Sequence, residues 1–73
     1  MKIVQKAGSD HTFLLYQNGL MIRISNTDAA KFVPQAKWIT DVQPQVWARL
    51  AEVNSWVRAA LGQPADGGGV AEG

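Results

Sequence analysis

Cysteine is absent from the chain, histidine occurs once, and charged residues make up only 18% of it. Without cysteine there is neither a disulfide framework nor a Cys-based zinc site, the two usual staples of a small domain. The 73 residues must be held by packing alone, and a chain this short makes one domain with a thin core. A lone His11 among scattered carboxylates matches none of the metal-ligand spacings, so no metal or cofactor is expected. Long hydrophobic runs are missing too: the apolar stretches are a few residues long, against roughly 20 for a bilayer span. Met1-Lys2-Ile3-Val4 is followed at once by Gln5, Lys6 and Asp10, which reads as no secretory segment. These absences together predict a cytoplasmic protein with no membrane association.

The residues for catalysis are equally sparse. Ser9-Asp10-His11 are sequence neighbours in a turn, where successive side chains diverge and cannot align as nucleophile, base and orienter. The acids at 10, 28, 41 and 52 are spread out, and turn or capping chemistry explains two of them. Gly67-Gly68-Gly69 lacks the preceding strand, the Lys and the following helix of a phosphate loop. No enzyme is expected.

What is present suits a packed binding module. Apolar residues make up 47%, with three Trp, two Phe and one Tyr, enough for a core. Residues 1–61 hold all seven basic residues against four acids, net +3, while Asp66 and Glu72 follow later. That is a mild bias toward acidic partners, short of the clustered Lys/Arg of a dedicated nucleic-acid binder.

Lys2–Lys6 reads as a short strand ended by Ala7-Gly8-Ser9-Asp10. Thr12–Gln17 and Leu20–Ser25 flank Asn18-Gly19, the strongest short hairpin signal. A two-residue turn there pairs 17 with 20, 15 with 22 and 13 with 24, and on the other face 16 with 21, 14 with 23 and 12 with 25. Phe13, Leu15, Leu20, Ile22 and Ile24 then form the core face. Leu14, Tyr16 and Met21, framed by Arg23, form either an exposed partner patch or the seat of the segment 26–37. That segment reads as an irregular connection in which Asn26-Thr27-Asp28 caps one helical turn before Pro34. Trp38-Ile39 either pack on the hairpin or add a brief strand.

A helix is predicted over about 42–61, with Thr40-Asp41 as N-cap, Pro44 in its first turn, and Gly62 and Pro64 closing it. Its apolar stripe is Val46, Leu50, Val53, Val57, Ala60 and Leu61, with Trp47 and Trp56 half-buried at the two margins. The Gly-rich residues 63–73 read as a disordered tail whose removal leaves folding and binding intact. The expected architecture is α+β: a small antiparallel sheet, made of the Asn-Gly hairpin and the N-terminal strand, packed on one long helix as a single globular domain over 1–62.

The whole chain, from Met-Lys-Ile-Val-Gln-Lys through the Tyr-Gln-Asn-Gly hairpin and the Val-Trp-Ala-Arg-Leu helix to the Gly-rich tail, resembles the small host-RNA-polymerase-binding regulators of lytic Xanthomonas phages. The resemblance rests on length and overall sequence character, not on a short signature. It implies a monomeric protein that binds bacterial RNA polymerase through the N-terminal part of the β′ subunit, near the RNA exit channel. It further implies inhibition of transcription initiation, antitermination, and possible proximity to nascent RNA. The residues expected to carry binding are Lys2, Val4 and Lys6 as an edge-strand anchor, with His11, Tyr16 and Arg23 flanking. Arg49 and Arg58 are read first as solvated helix charges and second as contacts to RNA or an acidic surface. Two alternatives remain open: an effector that blocks another host complex, and a small nucleic-acid-binding protein.

Overall fold

The computed structural model describes residues 1–65 and 67–73; Asp66 lies outside the described residues. The architecture is α+β. Strands β1 (Lys2–Lys6), β2 (Thr12–Leu15) and β3 (Met21–Ile24) are followed by a short helix α1 (Asn26–Ala30), strand β4 (Lys37–Val42) and the long helix α2 (Pro44–Ala60). A 3₁₀ helix over Gly67–Glu72 comes last. The four strands form one mixed sheet in the order β3-β2-β1-β4. Neighbours β1 and β2 are antiparallel, whereas β4 runs parallel to β1.

The hairpin forms where the sequence places it, but its register is offset by one. Phe13 faces Arg23, Leu14 faces Ile22 and Leu15 faces Met21. The loop is Gln17-Asn18-Gly19, closed by Tyr16 N–H to Leu20 C=O at 2.8 Å and by Gly19 N–H to Tyr16 C=O at 3.0 Å. A three-residue loop ending in a left-handed glycine replaces the two-residue turn, and Gly19 has φ 98°. Because side chains alternate, this shift turns every β3 residue over. Met21 joins Phe13 and Leu15 on the α2 side, while Ile24 packs with Leu14 on the other.

The sheet is consequently covered on both faces. On one side Val4, Phe13, Met21, Trp47 and Val70 form a core, with Leu15, Ile39, Val42, Leu50 and Ala51 around it. The Phe13 and Trp47 rings lie tilted, with centroids 5.5 Å apart. On the other side Ile3, Leu14, Ala29 and Ala36 pack with Ile24, Phe32 and Trp38. The expected patch of Leu14, Tyr16 and Met21 is divided: the folded-over reading holds for Leu14 alone, and Tyr16 stays exposed. The connection 26–36 lies on Leu14, and Met21 sits beneath α2.

The two helices are set by local chemistry. Ser25, one residue before the predicted cap, accepts from Asp28 N–H at 3.1 Å and starts α1. Thr40 and Asp41 complete β4 and do not cap α2. One extra β4 residue between the Val4–Ile39 and Lys6–Val42 pairs makes a bulge, with Asp41 at φ 62°. Helix α2 opens at Gln43-Pro44. It closes with Gly62 N–H to Ala59 C=O and Gln63 N–H to Arg58 C=O, around a left-handed Gly62.

The buried face of α2 is rotated one position from the predicted stripe. Trp47, Asn54 and Arg58 are buried, while Val46 and Leu61 are exposed. The reason is polar. Asn54 Oδ1 accepts Met21 N–H at 2.9 Å and Arg58 Nε–H at 3.2 Å, and an Arg58 terminal N–H donates to Met21 C=O at 2.7 Å. Edge strand β3 thus has one residue's backbone satisfied by helix side chains.

The 3₁₀ helix over 67–72 is seated against α2 and β3. Val70 is buried, and its carbonyl accepts the Trp47 indole N–H at 2.8 Å. The Gly73 carbonyl accepts the Ser9 hydroxyl. A buried indole N–H needs an acceptor, and this segment supplies it along with an apolar lid.

Two measurements follow. A Cβ at Gly19 would stand 2.6 Å from Val53 Cγ1 in a backbone conformation L-residues disfavour, so Gly19→Ala is expected to lower stability by about 1–3 kcal/mol in urea unfolding. Deletion of residues 63–73 is expected to cost at least the burial of Val70, about 1.5–3 kcal/mol, and to shift tryptophan emission to the red; unchanged emission and midpoint would mark the tail as dispensable.

Candidate functional site

With both sheet faces occupied, the groups free to meet a partner lie at the ends of the strands and on the outer side of α2. The expected partner residues divide accordingly. Lys2 and Tyr16 converge at one end of the sheet, where Met1, Lys2, Leu15, Tyr16 and Gln17 line a cleft of about 490 Å³. His11 and Arg23 converge at the other end, in a smaller polar cleft of about 270 Å³ that also includes Asp10, Ser25 and Asn26.

Local structure explains both gatherings. Lys2 is the register partner of Leu15 on β2 and of Lys37 on β4. Tyr16 follows β2 directly, so its phenol hangs over the same end. Arg23 faces Phe13 across β2–β3, which brings it beside the turn containing His11. At that end Asp10 approaches His11 Nε2 at 4.0 Å. Thr12 Oγ accepts from Gln5 Nε2 at 2.8 Å and bonds to the Asn26 side chain, tying β1, β2 and the start of α1 together.

Val4 is a correction. Its side chain is 2% exposed, in the core against α2, and β1 is an interior strand paired on both edges. It offers no edge to an extended peptide; the free edges are β3 and β4. The short alternating pattern of Lys2–Lys6 suits an edge and an interior strand alike, and a parallel neighbour 35 residues away in sequence (Lys2 beside Lys37) leaves no local trace. Lys6 is half-buried, with its stem against Gly73.

Arg58 is a second correction. It is 8% exposed and engaged with Asn54, Gln63 and Met21, so neither of its sequence readings as a solvent-facing charge survives. Arg49 remains outward, stacked 5.0 Å from the centroid of Trp56 and paired with Glu52. Trp56 is 57% exposed, and Val46 near the start of the helix is exposed as well. This aromatic and cationic outer strip of α2 was not singled out by the sequence reading, which placed Trp56 at a half-buried margin. The rotation of the helix by one position is what exposes it.

Among the described residues no group of three or more His, Asp or Glu is gathered that could hold a metal ion, and no helix is long and apolar enough to cross a membrane. The fold is that of a small α+β domain with a cleft at each end of its sheet. No protein-family model, curated protein or solved structure matches the chain.

The division of roles can be read by substitution. Arg58→Met leaves the Met21 carbonyl and an Asn54 lone pair unmet and is expected to cost about 1–3 kcal/mol in urea unfolding, with Arg58→Lys failing to restore it for want of the planar fork. Lys2→Gln, at an exposed position, is expected to change stability by less than about 0.5 kcal/mol.

Proposed function

We infer that the chain is a phage-type regulator that acts by binding, docking on host bacterial RNA polymerase at the N-terminal region of β′ near the RNA exit channel. In the bacterial cytoplasm it would hinder initiation and favour read-through of terminators. The observation that carries a binding role is the sheet sealed on both faces, which leaves clefts at the strand ends and an outer helix strip. What supports polymerase as the partner is the resemblance of the chain, in length and sequence character, to such regulators.

The mechanism needs only differential affinity. A protein that binds polymerase lacking productive promoter contacts more tightly than the promoter-engaged form opposes initiation, and each tenfold preference is worth about 1.4 kcal/mol. The same bound protein, placed beside emerging RNA, disfavours the hairpin that ends transcription. No bond is made or broken by the chain in either step.

Purified polymerase passed over the immobilised full chain, followed by single-round transcription on a promoter–terminator template, tests this. Retention with reduced initiation and increased read-through is expected. Polymerase that is not retained, or is retained with unchanged transcription, removes the reading.

A further inference from the structure

We propose that the cleft at the Lys2 end of the sheet is a docking site for an extended acidic protein segment, one that inserts an apolar or aromatic side chain flanked by Asp or Glu. The proposal deepens the binding reading above by naming the site and the chemistry of what enters it.

Three observations carry it. The cleft, about 490 Å³, is lined by Leu15, Met1 and the ring of Tyr16, with room for one or two inserted side chains at the lower end of the usual range for binding pockets. Its polar side chains are those of Lys2, Tyr16 and Gln17, with no side-chain carboxylate among the lining residues. And Lys2 stands opposite Lys37 on the neighbouring strand, both exposed.

Two lysines facing each other across a strand pair repel. Among the described residues neither has a carboxylate within 4.0 Å, which is true of Lys6 and Arg23 as well, whereas Lys31 and Arg49 are each paired with an acid three residues away. Lys37 on edge strand β4 is accounted for as protection against edge-to-edge association. Lys2, on an interior strand, needs no such protection. The repulsion is relieved when an anionic group enters between the two ammonium groups. The acids Asp10 and Asp41 belong to the opposite end of the strands, near Lys6 and His11.

A polypeptide fits these features better than a nucleic acid. The floor is aliphatic, Tyr16 is the only aromatic ring in the lining, and two cations are few for tracking a phosphate backbone, which takes several contacts and successive stacking rings.

The test is a titration of the isotopically labelled full chain with a twelve-residue peptide of alternating Asp or Glu around a central Phe. Its isomer with Gln for every acid, and an oligouridine, serve as comparisons. Shifts confined to Lys2, Leu15, Tyr16, Gln17 and Lys37 are expected for the acidic peptide. Affinity should fall several-fold between about 50 and 200 mM salt. In the doubly charge-reversed Lys2→Glu, Lys37→Glu chain it should fall about tenfold or more, and in Lys31→Glu it should stay unchanged. Lys2→Gln with Lys37→Gln gives a milder version should the reversed chain unfold by circular dichroism. Absent shifts, shifts centred on Arg49 and Trp56, equal binding of the Gln isomer, or tighter binding of oligouridine would each overturn the proposal. The same reversed chain on purified polymerase separates the two ideas: wild-type chain that ignores polymerase yet binds the acidic peptide defeats the polymerase reading and leaves the cleft standing.

Discussion

The backbone of Met21 is held from the helix, and much of the molecule depends on that grip. Asn54 takes its N–H and Arg58 gives to its C=O, so two side chains one helical turn apart act as a strand would. A guanidinium is costly to bury. Here it meets three neutral oxygens, on Met21, Asn54 and Gln63, one for each of its nitrogens, while Asn54 Oδ1 serves two donors at once. The same grip fixes the rotation of α2. With 54 and 58 turned inward, Trp47 and Ala51 follow onto the sheet, and Val46 and Trp56 turn out to water.

That rotation also governs where recognition can occur. A small sheet with one helix leaves a face open, and an open apolar face invites a partner. This chain closes its second face with α1 and the residues up to Ala36. Binding chemistry is thereby displaced to the rim: Lys2 and Tyr16 at one end, His11 and Arg23 at the other. Rim sites of this kind hold few charges, so the sign of each matters. Lys2 and Lys37 without an acid within 4.0 Å at one end, and an acid beside His11 at the other, give the two ends different charge environments.

Several features were legible in the residues themselves. Asn18-Gly19 announces the hairpin because the glycine accepts the positive φ that the loop needs at 19, and Pro44 and Gly62 bracket the helix for the same kind of local reason. The α+β class follows from those signals together with the strand pattern of Lys2–Lys6. The site was legible only in part. Lys2 is expected as part of an edge-strand anchor with His11, Tyr16 and Arg23 flanking; β1 is interior, and these four residues lie instead at two clefts, one at each end of the sheet. Val4 and Arg58 were misplaced, because an interior strand and a buried guanidinium are defined by neighbours distant in sequence.

The sequence by itself determined what local sterics and composition can determine: the turn, the helix ends, the apolar content for one core, and the absence of disulfide support. The tertiary structure alone decided the register of β3, the parallel placement of β4 beside β1, the facing of α2 and the seat of Val70 under Trp47. Each of these is a choice between states nearly equal in local energy, two- or three-residue turn, one helix face or the next. It is settled only when long-range partners such as Met21 with Asn54 and Arg58 come together.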